Sequence, residues 1–213
     1  MNIQTQRMSL NGAVGALEGL RDEPLHAAPG APARGVAVIA HPHPLYGGTM
    51  NNKVVQTLAR AFVQCGFAAV RFNFRGVGAS QGTYDQGAGE VADLLAVIDQ
   101  VAPAGVPLAL AGFSFGAFTT CQAVATVWPQ RPLEKIVLIG TAASRFDVAP
   151  LPPDAHEHTL VVHGEQDDTV PLAAVMDWAR PQMLPVTVIP GVEHFFHGQL
   201  TLLKHLVVRH LHA

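Results

Sequence analysis

Short, almost uninterrupted apolar runs recur along the chain, and segments long enough for one helix separate them. Such a run predicts a strand that is buried on both of its faces, which is typical of a parallel sheet covered by helices. Alternation of these strands with helices of about 10–15 residues predicts an α/β fold with a mostly parallel central sheet and helices on both faces. The predicted strands span residues 35–40, 68–74, 108–113, 135–141, 160–163 and 186–190.

The segments between the predicted strands have helical periodicity and helix end signals. Gly66, for example, follows the first of them at the position where many helices end in a left-handed residue. Three glycines among β-like runs in residues 1–20 predict an N-terminal hairpin, and three prolines in residues 21–34 predict a surface connection. The predicted helices span residues 51–65, 90–101, 115–128 and 171–183, and a last helix ends near residue 210.

Composition and charge exclude disordered and nucleic-acid-binding proteins. Apolar residues make up 49% and charged residues 14% of the 213 positions, which predicts a well-filled core in a single domain over residues 1–213. Thirteen basic and sixteen acidic residues give a net charge of −3 without a basic block. We therefore expect no nucleic-acid partner, because such partners need a basic surface.

Residues 100–130 carry no charge, and this stretch is long enough for a membrane-spanning helix of about 20 residues. Pro103, Pro107 and Gly112 interrupt it, however, and proline and glycine break or weaken a helix interior. We interpret the stretch as a loop, a buried strand and a buried helix, and we expect no membrane partner.

The cysteines and the N-terminus predict a cytoplasmic protein. Cys65 and Cys121 are too few for a disulfide framework. Residues 1–10, MNIQTQRMSL, lack the apolar segment of a secretory signal peptide.

The pentapeptide Gly112-Phe113-Ser114-Phe115-Gly116 follows a predicted strand and opens a predicted helix. This is the context of a nucleophile elbow, in which a serine sits on a tight, strained turn and its hydroxyl projects above the sheet. Glycines two positions before and two after the serine let the strand and the helix approach each other closely. The positive end of the helix also points at the serine. The pattern therefore predicts Ser114 as a nucleophile.

A serine nucleophile needs a general base, which in turn needs an acid that orients it. Residues 159–171, TLVVHGEQDDTVP, combine a strand, a glycine turn and two adjacent carboxylates. Asp167 is the preferred acid, and Asp168 is the reserve. Thr169 is the expected cap of the following helix.

The base is expected next in the chain. Residues 186–197, VTVIPGVEHFFH, contain a strand, a turn and then His194, with His197 three positions later. His194 is the preferred base because it lies closest to the strand end. His197 is expected about one turn into the next helix, as a surface residue.

Ser114, Asp167 and His194, in this chain order, resemble the catalytic residues of the α/β-hydrolase superfamily. Residues 41–53, HPHPLYGGTMNNK, and residues 71–82, RFNFRGVGASQG, strengthen the resemblance, which covers the chain from Val36 or so to the C-terminus.

The sequence is most similar to small bacterial-type hydrolases near the dienelactone-hydrolase-like group. Dienelactone hydrolases carry a cysteine where this chain has Ser114. Within the superfamily pattern, GxxDxxVP places the acid on Asp167.

Acyl transfer also needs two hydrogen-bond donors aimed at the oxyanion. One is expected to be the backbone N–H of Phe115, the residue after the nucleophile. The other belongs in the loop of residues 41–48, whose two prolines cannot donate. The backbone of His43 or Leu45 remains, and the HGx pattern of the superfamily places the donor on His43.

Many members of the superfamily carry a lid in the segment that corresponds to residues 142–158. In this chain the segment is short and contains three prolines. A short or absent lid is therefore expected, with an open, shallow site that excludes long acyl chains. Five residues are candidates to line an acyl pocket and fit a hydrophobic core equally well: Leu45, Tyr46, Phe113, Phe115 and Phe195.

Two further patterns are assigned no chemistry. Eleven histidines occur, several in pairs, but no pair has the HExxH spacing of a zinc site, so no metal is predicted. Residues 75–82, RGVGASQG, miss the GxGxxG spacing by one residue. We interpret them as a structural turn in which Arg75 pairs with backbone or a carboxylate, and we expect no cofactor.

These observations predict a serine hydrolase that cleaves small carboxylic esters of short or medium acyl groups through an acyl-enzyme. The expected partner is a small-molecule ester, and the protein is expected to be a monomer or a homodimer. Peptide, thioester or lactone hydrolysis would use the same three residues and stays open. A non-catalytic binding module on the same scaffold is the alternative from another class.

Overall fold

Eight strands form one sheet in the computed structural model, which describes residues 5–24 and 32–213. The strands are β1 (Thr5–Gly12), β2 (Gly15–Asp22), β3 (Val36–Ala40), β4 (Ala68–Phe72), β5 (Leu108–Phe113), β6 (Lys135–Ile139), β7 (Thr159–Gly164) and β8 (Val186–Ile189). Their order across the sheet is β1-β2-β4-β3-β5-β6-β7-β8. All neighbours among β3 to β8 are parallel, and β2 is antiparallel to β1 and β4. The predicted mostly parallel sheet is confirmed.

The predicted N-terminal hairpin is β1 and β2, which turn where Gly12 pairs with Gly15. Its second strand continues to Asp22, so the predicted connection begins later than residue 21. The other edge of β2 pairs with β4, so the hairpin is part of the central sheet. Residues 25–31 of the predicted connection lie outside the described residues.

Five α-helices lie within the described residues, and they cover both faces of the sheet. Alternate residues of β3 point to opposite faces, as the pleat of a strand requires: Val38 packs into one core cluster and Ile39 into the other. The helices α2, α3 and α4 pack on the Val38 face, and α1 and α5 pack on the Ile39 face. The helices are α1 (Lys53–Gln64), α2 (Ala88–Val101), α3 (Phe115–Val127), α4 (Leu172–Ala179) and α5 (Leu200–His212).

Local chemistry explains where α1 begins and ends. The Asn52 carboxamide oxygen accepts a hydrogen bond from the N–H of Val54 at 2.8 Å, which satisfies a backbone donor that the first turn leaves free. After the cap at Cys65, Gly66 has a φ of 88°, a conformation that favours glycine. The predicted helix over residues 51–65 is thereby confirmed.

The fourth helix differs from its prediction at both ends. Pro171 precedes its first residue as the cap, so the expectation that Thr169 caps this helix is wrong. The Thr169 N–H instead donates to Asp167 Oδ1 at 3.0 Å. The α-helix stops at Ala179, and a 3-10 segment, Arg180–Gln182, continues it with Pro181 inside.

The connection between β6 and β7 contains one 3-10 segment, Pro153–His158, and no α-helix. The predicted short or absent lid is confirmed, and the carboxyl end of the sheet stays open above the central strands. Arg75, in the turn after β4, forms an ion pair with Asp93 at 2.7 Å, as predicted, and its backbone N–H donates to the same carboxylate.

Candidate active site

Ser114 lies on the sharp turn between β5 and α3. Its backbone has a φ of 57° and a ψ of −116°, which L-residues rarely adopt and which stores strain. A Cβ on Gly112 would lie 2.1 Å from the carbonyl oxygen of Gly116, and a Cβ on Gly116 would lie 2.3 Å from that of Ala40. Only glycine at both positions allows this approach, and the resulting turn has the geometry of a nucleophile elbow.

Three side chains from three strand ends form a continuous hydrogen-bonded chain. The Ser114 hydroxyl lies 3.1 Å from His194 Nε2, and His194 Nδ1 lies 2.6 Å from Asp167 Oδ2. Because a carboxylate only accepts, Nδ1 carries the proton of the neutral ring and Nε2 is free to accept from the serine hydroxyl. The arrangement can therefore remove a proton from Ser114 while the acid holds the imidazole in place.

Hydrogen bonds to both oxygens of the Asp167 carboxylate fix its orientation. Its Oδ1 accepts from the N–H groups of Thr169 at 3.0 Å and Val170 at 2.7 Å. Its Oδ2 faces His194, and the whole side chain is buried. The loop after β7 thus wraps its own backbone around the carboxylate.

The reserve candidates lie elsewhere. The side chain of Asp168 is exposed and accepts a hydrogen bond from the Thr169 hydroxyl at 3.4 Å. His197 is 72% exposed and pairs with Glu193 at 3.0 Å. The structure therefore brings Asp167 and His194 to Ser114, and it does not bring Asp168 or His197 there.

His163 was not predicted to belong to the site, yet it lies directly behind Asp167. Its Nε2 donates to the carbonyl oxygen of Val170 at 2.9 Å and lies 3.5 Å from Asp167 Oδ2. Its Nδ1 has no hydrogen-bond partner among the described residues. Burial lowers the pKa of His163, so the ring is neutral, with its proton on Nε2.

Two residues that border the cleft beside Ser114 have backbone N–H groups without an acceptor among the described residues. Those of Phe115 and His43 have no hydrogen-bond acceptor in residues 5–24 and 32–213, whereas that of Leu45 donates to His43 Nδ1 at 3.2 Å. Of the two alternatives that the sequence leaves open, His43 therefore has the free donor. Both residues border the same cleft as Ser114.

The His43 ring is held from both sides. Because Nδ1 accepts from Leu45, the neutral ring carries its proton on Nε2, which lies 3.1 Å from the Tyr84 hydroxyl. Burial, followed by the positive charge of Arg145, lowers the pKa of His43. Phe115 and Phe146 pack against the ring, with centroid distances of 5.1 and 5.9 Å.

A cleft of about 400 Å³ opens over Ser114. Tyr46 and Phe195 line it as predicted, and they are 78% and 43% exposed. Leu45 points away to solvent, and Phe113 is fully buried under His194, with a ring-centroid distance of 4.9 Å. The expectation that these two line the pocket is wrong: Phe113 is the last residue of the buried strand β5, and Leu45 lies on the solvent side of its loop.

The sequence did not indicate several residues of the cleft wall. Ala142, Arg145 and Phe146 come from the connection after β6, Asn52 from the cap of α1, and Val170 from the loop after β7. The sequence of the connection after β6 indicates only that a lid is short or absent. Its start at the end of a central strand was the signal that it would border the site.

Other parts of the described chain carry no comparable constellation. No group of three His, Cys, Asp or Glu side chains in residues 5–24 and 32–213 could hold a metal ion. No helix in that part of the chain combines the length and the hydropathy that crossing a membrane requires. A larger groove of about 900 Å³ lies between the hairpin and α1, and Ser114 and His194 are not part of it.

Comparison with known proteins gives consistent relatives. Residues 31–155 match the family model described as serine aminopeptidase, S33. An uncharacterized protein of Rickettsia prowazekii (strain Madrid E) is 34% identical over 203 residues, which cover 87% of this chain and 80% of that protein.

Two solved structures are similar over nearly the whole chain. One is a member of the α/β serine hydrolases without a lid, from Xanthomonas campestris, with 34% identity, a TM-score of 0.86 and coverage of 100% of this chain and 95% of that one. The other is an α/β serine hydrolase homologue from Coxiella burnetii, with 39% identity, a TM-score of 0.79 and coverage of 98% and 97%.

Proposed function

Because the chain belongs to the α/β-hydrolase superfamily, and within it to the serine aminopeptidase S33 family, we propose that it cleaves small carboxylic esters of short or medium acyl groups. Ser114 is the nucleophile, His194 the general base and Asp167 the acid. The observation that carries the proposal is the hydrogen-bonded chain from the Ser114 hydroxyl through His194, at 3.1 Å, to Asp167, at 2.6 Å.

The reaction follows from these contacts. Ser114 Oγ attacks the ester carbonyl while His194 Nε2 takes its proton, and the N–H groups of Phe115 and His43 stabilise the oxyanion. His194 then gives the proton to the departing alcohol, which leaves an acyl group on Ser114. A water molecule deprotonated by His194 attacks the acyl-enzyme and releases the carboxylic acid.

The charge of the cleft supports ester over aminopeptidase chemistry. An aminopeptidase has to bind a protonated amine, for which a carboxylate is the fitting partner. None of the described residues that line the cleft carries a carboxylate, and Arg145 among them would repel an ammonium group. Asp167 does not serve, since its oxygens are already engaged and it lies behind His194.

Hydrolysis of p-nitrophenyl acetate and p-nitrophenyl butyrate tests the proposal, together with labelling by a fluorophosphonate. We expect Ser114→Ala to lower turnover at least about a thousandfold and to abolish labelling, because the nucleophile is lost. Ser144→Ala is the matched control, since Ser144 is exposed and lies outside the cleft lining.

The other outcomes favour the alternatives. Labelling of Ser114 without turnover would direct the search to thioesters, lactones or peptides. Folded protein that neither hydrolyses nor takes the label would contradict the proposal and favour a non-catalytic binding module.

A further inference from the structure

The only formal charge on the described lining of the cleft belongs to Arg145, apart from the two histidines His43 and His194. The rest of the wall consists of aromatic, aliphatic and uncharged polar side chains. A single cation in such a surrounding creates a positive field over the site that no lining carboxylate cancels.

The Arg145 guanidinium is also free to bind a ligand. In residues 5–24 and 32–213, no carboxylate lies within 4.0 Å of it and its side chain forms no hydrogen bond. This distinguishes it from Arg71 and Arg75, which are buried and paired with Asp22 and Asp93. Arg145 is exposed, so a ligand can reach it from solvent.

The Arg145 charge lies near the proposed reaction centre. Arg145 borders the same cleft as Ser114, and its charge is felt at the ring of His43, whose pKa it helps to lower. Phe146, the next residue, packs at 5.2 Å from the Phe115 ring, so the backbone that carries Arg145 is anchored to the helix that starts at the nucleophile.

We infer that Arg145 binds an anionic group of the substrate, so that the preferred substrates are small esters that also carry a carboxylate. The planar guanidinium suits a carboxylate because it can donate two parallel hydrogen bonds. The Tyr46 and Phe195 rings provide apolar surface for the short chain between the two groups. The inference rests on the proposed function and narrows its substrate class.

Two pairs of esters test it, each pair differing in one negative charge. Monoethyl adipate and ethyl heptanoate differ in the acyl part, and 4-acetoxybenzoate and its methyl ester differ in the leaving group. For each pair, the ratio of kcat/KM for the anionic ester to that for the neutral ester is measured in the wild type and in variants. The ratio in a variant relative to the wild type cancels the intrinsic reactivity of the esters.

We expect Arg145→Gln to lower this ratio about tenfold for at least one pair, which is the size of one charge-assisted hydrogen bond. Arg145→Lys should keep most of the ratio, and added salt should reduce the wild-type ratio by screening. Arg60→Gln is the matched control, because Arg60 is exposed on α1, outside the cleft, and its loss changes the net charge equally.

The results separate the two proposals. If Ser114→Ala abolishes hydrolysis but Arg145→Gln leaves both ratios within about twofold of the wild type, the inference is wrong and the proposed function stands. An equal loss in Arg60→Gln also overturns it, since the effect would then follow net charge. If hydrolysis survives in Ser114→Ala, the proposed function fails, and the inference fails with it.

Discussion

Two adjacent carboxylates, Asp167 and Asp168, have very different surroundings. Asp167 is buried, accepts two backbone N–H groups and lies 2.6 Å from His194 Nδ1, whereas Asp168 is exposed. Only the first can hold the imidazole in the tautomer in which Nε2 accepts the serine proton. The chemistry proposed above therefore depends on one of the two neighbours.

We expect Asp167→Asn to lower kcat about 10³- to 10⁴-fold. Asparagine keeps an oxygen for the N–H groups of Thr169 and Val170, but its NH2 group then faces His194 Nδ1 and cannot accept the hydrogen bond that the carboxylate accepts there. Steady-state kinetics on p-nitrophenyl butyrate measures the effect, with Asp168→Asn as the matched control at about wild-type activity. The reverse ranking of the two variants would move the acid to Asp168.

Local patterns were enough to propose Ser114, Asp167 and His194, because each follows a strand in a short, characteristic segment. They did not indicate His163 or Tyr84. His163 reaches Asp167 only because β7 turns this side chain toward the loop that follows, and Tyr84 reaches His43 from 41 positions away. Contacts that depend on how two loops fold over each other leave no spacing signal in the chain.

The turn between β5 and α3 holds Ser114 between the strand and the helix. Gly112 and Gly116 permit a backbone approach that any Cβ would prevent, and Ser114 N–H donates to the Ile139 carbonyl oxygen at 2.8 Å, which ties the turn to β6. The strain at Ser114 is therefore held by its neighbours on both sides.

We expect Gly112→Ala to lower the free energy of unfolding by more than about 4 kcal/mol, because its Cβ would lie 2.1 Å from a backbone oxygen that cannot move alone. Gly105→Ala is the matched control. Its φ is 89° but no atom lies within 4 Å of the added Cβ, so it should cost about 1–2 kcal/mol. Urea unfolding measures both, and equal losses would contradict the role given to the close approach.

At the level of elements, the alternation of apolar runs and helical segments was sufficient to predict β3 to β8 and all five helices of the described chain. The errors are in the boundaries of the elements. Pro171 rather than Thr169 is the residue before α4, and β4 ends at Phe72 instead of residue 74. The cleft was less predictable than the sheet, because its wall includes Arg145 and Phe146 from a connection without regular structure.

At the scale of the whole molecule, the parallel register of the central strands brings their carboxyl ends, and the loops that carry the site, to the same side of the sheet. His41, directly after β3, holds two of these loops together. Its Nδ1 donates to the Pro42 carbonyl oxygen at 2.6 Å, and its Nε2 accepts from the N–H of Phe74 at 3.1 Å. The ring thus connects the loop that contains His43, the proposed second oxyanion donor, to the chain after β4. It is fully buried, and it has to be neutral to accept.

Burial lowers the pKa of His41 from 6.5 to about 4. Between these two values the unfolded chain binds a proton at His41 that the folded protein does not, so protonation favours the unfolded state. The contribution of His41 to stability is therefore complete above pH 6.5 or so and is lost as the pH falls toward 4. This difference between the pKa values of His41 in the unfolded and folded states corresponds to a loss of about 3 kcal/mol in the free energy of unfolding near pH 4.

We expect the free energy of unfolding to fall from pH 7 to pH 5, a range in which most carboxylates stay ionised. His41→Gln should make this dependence shallower, because the amide oxygen can accept from Phe74 without a proton equilibrium in this range. Urea unfolding at half-unit pH steps measures the slope, and His205→Gln, on an exposed position of α5, controls for the loss of one histidine. A slope that is unchanged in His41→Gln would mean that another group, such as the half-buried His210, whose pKa is also lowered to about 4, dominates the acid sensitivity.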